Sequence, residues 1–291
     1  MIYALNTSVW NGSFSAEEQE QAIRALENGQ VIYLPNLPFT LSEEEDSFLD
    51  PQYLQGNAKN ISFDANVQQL KGTVLEGSQG LQLTQLMVRY VQSTRTLLNT
   101  LIPHYQNHLI TGRTSFRPVE IHGRKSSPRQ DDTRLHVDAF PSAPNQGKRI
   151  LRIFTNINPN GKGRHWHLGE PFEAVIQHFF PKLKNPLPGS RKLLHWAGIT
   201  KSYRSLYDHY MLLIHDNMKL NEAYQQNVEK LSFHFPAGSS WIIMSDCVSH
   251  AALAGQHLLE QTFYLPINAM RFPEVSPKNV LERYLGKSLS S

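Results

Sequence analysis

The sequence contains a single cysteine, Cys247, and therefore cannot form a disulfide bond within the chain. It has no apolar run close to the ~20 residues that cross a bilayer, and its start lacks the basic and apolar stretches of a secretory signal. Charged residues are only 18% of the chain and the net charge is +3, which is too mild to indicate binding to nucleic acid. We therefore expect a cytoplasmic protein that has no nucleic-acid partner.

The chain also lacks internal repeats, low-complexity tracts and linkers, while 40% of its 291 residues are hydrophobic. This composition is typical of an ordinary globular protein that buries a sizeable core. Helical patterns dominate the first part of the chain, and closely spaced short strands follow. This order predicts one α+β domain built around a sheet sandwich or a barrel.

Local sequence signals predict the individual elements. Ser15 is a candidate N-cap for a first helix, and Asn28-Gly29 is its stop signal. Further helices are expected over 81–101 and 185–218 because apolar residues recur there at helical spacing. The predicted strands cover 31–34, 113–121, 134–140, 149–159 and 164–176.

The stretch RLHVDAF, from Arg134 to Phe140, places His136 and Asp138 two residues apart in a strand-like run. Alternate side chains of a strand share a face, so the imidazole and the carboxylate would project together, about 7 Å apart along the chain. Such a pair is either a satisfied hydrogen bond or two of the three ligands of a metal site. The pair alone does not separate these interpretations.

A third candidate ligand, His250, follows a turn, an apolar strand and a polar bend in the stretch PAGSSWIIMSDCVSH. Two neutral imidazoles and one carboxylate form the facial triad of non-haem Fe(II) oxygenases, which leaves positions open for a 2-oxo acid and O₂. The 111 residues between Asp138 and His250 are enough for the strands of a barrel to bring the two together. His165 and His167, on either side of Trp166, are an alternative pair of ligands or an ordinary strand face.

A 2-oxoglutarate cosubstrate needs a fixed cation for its distal carboxylate, and the fork of an arginine suits it best. Many oxygenases place that cation a short distance after the distal histidine, where this chain has the uncharged Gln261. Arg152 lies in an otherwise apolar strand, so we predict it to be the main contact of the carboxylate. Salt bridges on an outer sheet face explain Arg117, Arg152 and Arg164 equally well from the pattern alone.

Four stretches make the pattern specific: HVDAFPS, LRIFTNINPNGKGRHWHLGEPFE, SDCVSHAALAGQ and LEQTFYLP. Together they resemble the Kdo hydroxylases, which use Fe(II), 2-oxoglutarate and O₂ to add a 3-hydroxyl group to the Kdo sugar of lipid A precursors. The resemblance runs from about Ala22 to Leu285 and includes the spacing between HxD and the distal histidine.

The resemblance implies a double-stranded β-helix, or jelly-roll, core surrounded by helices in a single domain. The core would span 111–270, with a helical insertion at 185–228 and a mostly helical part at 1–110 packed on the barrel. Fe(II) would be bound by His136, Asp138 and His250. The 2-oxoglutarate site would use Arg117, Arg152, Arg164 and Trp166, to which we add Gln261 from its position after the distal histidine.

Residues 179–215 interleave basic side chains with aromatic and aliphatic ones. Such a surface suits an anionic sugar-phosphate head group on a membrane lipid, and the resemblance implies a Kdo-bearing lipid A precursor as substrate. We expect salt-sensitive, peripheral association with the anionic inner membrane of a Gram-negative-type bacterium. A helical hairpin with aromatic core residues and solvated basic residues explains the same pattern.

Three other functions are alternatives to Kdo hydroxylation. A 2-oxoglutarate oxygenase acting on protein or nucleic acid would share the fold and the metal. A non-catalytic jelly-roll sugar-binding module would have no need of an open triad. A thiol nucleophile formed by Cys247 and His250 is disfavoured because the neighbouring Asp246 would raise the pKa of the thiol.

Overall fold

The computed structural model describes residues 1–124 and 126–289. Its α-helices are α1 (Ala16–Glu27), α2 (Glu43–Asp46), α3 (Gly77–Leu101), α4 (Phe172–Phe179), α5 (Ser190–Trp196), α6 (Leu206–Leu220), α7 (Glu222–Asn227) and α8 (Pro277–Leu285). Its strands are β1 (Ile2–Ala4), β2 (Val31–Leu34), β3 (Ile61–Asp64), β4 (Gln69–Lys71), β5 (Ile110–Arg117), β6 (Arg149–Asn156), β7 (Arg164–Leu168), β8 (Leu231–Phe235), β9 (Ser240–Met244), β10 (His250–Ala254) and β11 (Leu258–Leu265).

The strands form two sheets. The larger has the order β1-β2-β9-β6-β11-β5-β3-β4, and the smaller has the order β10-β7-β8. The central strands β6 and β11 are antiparallel and paired over their whole length, from Leu258 opposite Asn156 to Leu265 opposite Arg149. Two packed sheets confirm the predicted jelly-roll core of an α+β fold. The division into parts 1–110 and 111–270 stays a prediction, and the first part supplies two strands to each edge of the larger sheet.

Aromatic side chains fill the space between the two sheets. Trp241 of β9 stacks on Phe235 of β8 with ring centroids 3.9 Å apart, and on Phe154 of β6 at 5.4 Å. Trp166 of β7 meets Phe154 edge to face at 5.1 Å. Burying one such ring contributes about 1.5–3 kcal/mol of hydrophobic free energy, so the cluster holds the sheets at a fixed spacing.

Helix α3 confirms the packed helix predicted over 81–101 and begins four residues earlier, at Gly77. Tyr90 on this helix is fully buried and reaches the central strands. Its hydroxyl oxygen lies 3.3 Å from the carbonyl oxygens of both Ile153 and Leu259. The helix therefore packs directly on β6 and β11. Within the described part of the chain, no helix is both long and apolar enough to span a bilayer.

The first helix and the strand after it also form as predicted. The Ser15 hydroxyl accepts a hydrogen bond from the Glu18 backbone, and the Glu18 carboxylate accepts one from the Ser15 backbone, which completes a capping box. The helix ends at Glu27 with Asn28 as its C-cap, and Gly29 takes a positive φ of 75° that turns the chain into β2.

The RLHVDAF stretch is extended but does not form the predicted strand. It makes a single bridge, in which the backbones of His136 and His250 exchange hydrogen bonds of 3.0 and 2.9 Å. Two residues later the Asp138 N–H donates to the carbonyl of Ser245 at 2.8 Å. No ladder develops because the stretch bonds to both ends of one bend, while the shared face of His136 and Asp138 is retained.

Prolines explain why the strands β5 and β7 end earlier than the sequence predicted. Strand β5 ends at Arg117 instead of continuing to residue 121, since Pro118 has no N–H for the ladder. Strand β7 ends at Leu168, and Pro171 precedes helix α4, where the sequence predicted more strand. The region 185–218 contains α5 and most of α6, separated by irregular chain.

Candidate active site

Three buried side chains meet at the bend before β10. His136, Asp138 and His250 are 6%, 8% and 4% exposed, and one candidate ligand atom from each lies within 4.8 Å of the others. The Nε2 atom of His136 is 3.7 Å from Oδ1 of Asp138. The structure thus brings together the three residues that the sequence predicted as metal ligands.

Both imidazoles are oriented by the same backbone device. Nδ1 of His136 lies 2.8 Å from the Arg134 carbonyl oxygen, and Nδ1 of His250 lies 2.7 Å from the Val248 carbonyl oxygen. In each ring Nδ1–H donates to that carbonyl, so Nε2 carries the lone pair that a metal would use. Burial lowers the pKa of both imidazoles, which favours the neutral form that binds metals.

Asp138 supplies the negative charge of the cluster. Burial alone would raise the pKa of its carboxyl group, but Arg152 and the two histidines outweigh this effect and lower that pKa. Nη1 of Arg152 is 3.1 Å from Oδ2 of Asp138, yet the angles make no hydrogen bond, and Oδ2 has no other partner among the described residues. A buried carboxylate oxygen without a hydrogen bond is costly unless a cation completes its environment.

A fully buried ion pair holds the bend that carries His250. The Arg149 guanidinium at the start of β6 donates to Asp246 Oδ2 at 2.7 Å and Oδ1 at 3.2 Å, and both side chains have no exposed surface. Cys247, the next residue, is also buried, and burial raises the pKa of its thiol to about 12. The pair therefore fixes the bend, and the thiol is not a nucleophile at neutral pH.

The three candidate ligands line a cavity of about 510 Å³ that opens to the surface. Its wall is rich in cations, whereas Asp132, Asp138 and Glu260 are its acidic members. The basic side chains that line it are Lys59, Arg117, Arg129, Arg152, Arg164 and Lys219. Such a wall favours anionic ligands.

Three of these arginines are paired with carboxylates. Arg129 Nε lies 3.1 Å from Oδ2 of Asp216. Arg117 donates two hydrogen bonds to Glu260, at 3.0 and 2.8 Å. Arg152 lies between Asp138, at 3.1 Å, and Glu260, at 3.5 Å. The buried charge of Arg152 therefore has acidic neighbours on two sides.

Arg164 is the buried arginine of the cavity for which the described residues contain no carboxylate partner within 4 Å. It is 3% exposed, its Nη1 donates to the Gly255 carbonyl at 3.2 Å, and its Nε has no hydrogen-bond partner. Burial, reinforced by the nearby Arg117, lowers the pKa of Arg164 to about 9. Gly255 has a φ of +128° and no room for a Cβ, which would lie 2.7 Å from Cγ of Arg164.

Trp166 lies two residues further along β7 on the same face, as predicted. Its ring stacks on the imidazole of His250 with centroids 5.3 Å apart, and its Nε1 has no hydrogen-bond partner in the described part of the chain. Arg164 and Trp166 thus both line the cavity beside the three candidate ligands, and each has a buried N–H group without a partner among the described residues.

The structure does not bring Gln261 to the cavity. Its side chain is fully buried and bonds Thr114 at 2.5 Å, while the preceding Glu260 lines the cavity. The alternative ligand pair, His165 and His167, does not line the cavity either. His165 stacks on His234 of β8 at 4.1 Å instead.

Sequence reasoning missed two residues of helix α6 that line the cavity. His215 meets the His136 ring edge to face at 5.5 Å, and Lys219 is only 2% exposed. Lys219 Nζ lies 3.9 Å from Asp132, and burial lowers the pKa of its ammonium group. Their spacing of four residues in a helical pattern was the available signal, because it places both side chains on one face.

The chain matches proteins of known function over almost its entire length. The sequence profile of the 3-deoxy-D-manno-oct-2-ulosonic acid (Kdo) hydroxylases matches residues 9–288. A similar fold is found in the crystal structure of the Kdo hydroxylase KdoO, a non-haem Fe(II) α-ketoglutarate-dependent dioxygenase, in complex with α-ketoglutarate and Fe(III). Its sequence is 50% identical to this chain, and the TM-score is 0.96. The match covers 99% of this chain and 97% of that chain. A comparison with curated proteins gives no match.

Two further KdoO structures are equally similar. The cobalt(II) complex is 52% identical, with a TM-score of 0.97, over 100% of this chain and 97% of that chain. The complex with succinate and Fe(III) is 51% identical, with a TM-score of 0.96, over the same shares. Because the family profile and the structural match both span nearly all residues, this chain belongs to the Kdo hydroxylase family.

Proposed function

We propose that this chain hydroxylates C3 of the Kdo sugar of lipid A precursors, using Fe(II), 2-oxoglutarate and O₂. The observation that carries the proposal is the set of three buried ligand atoms within 4.8 Å of one another, opening into a cavity with a cationic wall. The KdoO structures with Fe(III), α-ketoglutarate and succinate support the same chemistry.

His136, Asp138 and His250 fit an Fe(II) ion. Both Nε2 lone pairs are free because each Nδ1–H is bonded to a carbonyl, and Oδ2 of Asp138 lacks a hydrogen bond. Bound iron would couple the oxidative decarboxylation of 2-oxoglutarate to insertion of oxygen into a C–H bond. The three residues would hold the metal on one side and leave the cavity side to the ligands.

We assign the distal carboxylate of 2-oxoglutarate chiefly to Arg164. The sequence argument favoured Arg152, but Arg152 is already balanced by Asp138 and Glu260. Arg164 is more deeply buried and has no carboxylate within 4 Å among the described residues, so a bound carboxylate would supply a close counter-charge. Arg117 and Arg152, which both lie beside Glu260, would add positive charge to the same wall, and Trp166 would offer an N–H that has no partner among the described residues.

The carboxylate of the sugar acid would be held by Lys219. This lysine is buried in the same cavity on the α6 side, and its only acidic neighbour within 4 Å among the described residues is Asp132, at 3.9 Å. Such a loose pair leaves the ammonium group able to bind an anion. His215, one turn earlier and against His136, would limit how closely the sugar approaches the metal side.

The experiment that tests the function is a succinate-release assay with Fe(II), 2-oxoglutarate and a Kdo-bearing lipid A precursor. Succinate should form in proportion to hydroxylated sugar, and omission of any one component should reduce it to background. Peptide or nucleic-acid substrates in place of the lipid should give background release. Succinate formation driven by those substrates and not by Kdo would overturn the proposal.

A further inference from the structure

Residues Phe180 to Ile199 form a projection without a single buried residue. It contains helix α5, which buries none of its side chains. Helices of globular proteins are stabilised mainly by packing an apolar face, so a seven-residue helix without one indicates that something else covers it.

The projection carries large apolar side chains in water. Leu187, Leu193, Trp196 and Ile199 are 78%, 62%, 86% and 59% exposed. Leu193 and Trp196 are three residues apart on α5 and share a face. The backbone N–H of Ile199 returns to the carbonyl of Leu194 at 3.1 Å, and the N–H of Ser190 bonds Leu187, which keeps the four residues in one compact unit. We call these four residues the apolar tip.

The segment that carries the apolar tip is basic. Between Glu173 and Asp208 the sequence has no acidic residue, and it has six basic ones. Four of them are exposed and belong to no salt bridge among the described residues: Lys182, Lys184, Lys192 and Lys201. An apolar projection whose segment also carries exposed lysines matches the chemistry of an anionic lipid surface.

The chain directly after the projection is bonded to the rim of the active-site cavity. The Lys201 N–H donates to the Ser142 carbonyl at 2.9 Å, and Arg204 donates to the Pro141 carbonyl at 2.6 Å. Pro141 and Phe140 line the cavity directly after Asp138. A bilayer that accommodates the apolar tip would therefore lie beside the opening through which a lipid-linked sugar must enter.

A second copy of the chain is the main competing occupant. In a two-fold dimer the same patch faces itself, so six positive charges would meet six positive charges with no acid between them. That arrangement is repulsive, whereas an anionic membrane is attractive. We propose that the apolar tip inserts into an anionic bilayer and presents the cavity mouth to lipid-linked substrate. The proposal rests on the proposed function only for the identity of that substrate.

The test uses the full-length chain and vesicles of phosphatidylglycerol and phosphatidylethanolamine without any Kdo lipid. The tip variant combines Leu193→Ser with Trp196→Ser. Leu81→Ser is the matched control, because Leu81 is 66% exposed on α3 outside the projection. Removing two inserted side chains should lower the partition coefficient at least ~10-fold, and the control should bind like wild type.

Salt separates insertion from simple charge attraction. High ionic strength should weaken wild-type binding without abolishing it, since screening acts on the lysines and not on the buried apolar surface. A Lys184→Gln, Lys192→Gln variant should lose mainly the salt-sensitive part. Trp196 fluorescence should shift to shorter wavelength on binding. Trp166 and Trp241 are buried, and Trp10 packs against the core outside the projection, so the tip variant should lose that shift.

Two results would overturn the proposal. One is that the tip variant binds vesicles as tightly as the wild type, while Trp196 emission of the wild type does not change on binding. The other is a wild-type chain that ignores vesicles and forms a dimer that the tip substitutions dissociate. Failure of the hydroxylase function has a separate signature: no succinate release with either lipid-linked or water-soluble Kdo. If both proposals hold, the tip variant should lose activity only on vesicle-bound Kdo lipid.

Discussion

Replacing Arg164 by leucine tests the assignment of the 2-oxoglutarate carboxylate. In the structure this guanidinium is 3% exposed and donates to the Gly255 carbonyl, and its Nε has no hydrogen-bond partner in the described part of the chain. The ligand would therefore supply its missing counter-charge. Losing one charge-assisted contact costs about 1.5–3 kcal/mol, which corresponds to a ~10–150-fold weaker affinity for 2-oxoglutarate.

The same substitution should not destabilise the protein without ligand. An unpaired buried cation opposes folding, and leucine fits an environment that already contains Phe154, Trp166 and Leu258. Arg164→Leu should therefore match or exceed the wild-type free energy of unfolding. Arg152→Leu is the control, because it removes the cation between Asp138 and Glu260 and should lower that free energy.

Two measurements give the answer. Calorimetric titration of 2-oxoglutarate into Fe(II)-loaded protein without O₂ gives the affinity, and chemical denaturation of the unliganded protein gives the stability. Weak binding combined with undiminished stability is the expected signature. Unchanged 2-oxoglutarate affinity in Arg164→Leu would refute the assignment and return it to Arg152 or Arg117.

Three further predictions concern the residues around the bend. Asp138→Ala and His250→Ala should each abolish succinate release while leaving the circular dichroism spectrum native, and wild-type turnover in either metal-reconstituted variant would remove the triad assignment. Arg149→Met should lower the free energy of unfolding by about 3–5 kcal/mol, since it leaves Asp246 buried and unpaired, and a loss below 1 kcal/mol in denaturant titration would contradict this reasoning. Cys247 should resist iodoacetamide at pH 8 until the protein unfolds, because burial raises the pKa of its thiol to about 12, and rapid labelling of the native protein would show otherwise.

The cluster of three candidate ligands could be predicted from the sequence because each of its parts depends on local structure. His136 and Asp138 share a face whenever their stretch is extended, and that stretch stayed extended although it forms one bridge instead of a strand. His250 was found from its turn, strand and bend, all of which formed. The shared face of Arg164 and Trp166 also followed from the sequence, because alternation along β7 places both side chains on one side of the strand.

Gln261 shows where sequence counting fails. A strand changes face at each residue, so an offset of one position moves the side chain from the cavity to the opposite side. Here the cavity receives Glu260, and Gln261 bonds Thr114 instead. Register of this kind is set by the pairing of β11 with β6 and β5, which no local pattern contains.

The partners of the arginines and the residues from α6 depend on tertiary packing in the same way. The sequence could not tell that Arg152 lies between two carboxylates, whereas Arg164 has none within 4 Å among residues 1–124 and 126–289. It also could not place His215 and Lys219 beside His136, because α6 reaches the cavity across a long irregular connection. The projection with the apolar tip was predicted as basic and aromatic, but its lack of buried residues became visible only in the fold.

The central claim is tested most directly by product analysis with isotopically labelled O₂. Purified protein with Fe(II) and 2-oxoglutarate should place one labelled oxygen atom on C3 of a Kdo-bearing lipid A precursor, with one succinate formed for each hydroxylated sugar. Labelled succinate without any labelled Kdo, or a hydroxyl group on a different carbon, would contradict the account.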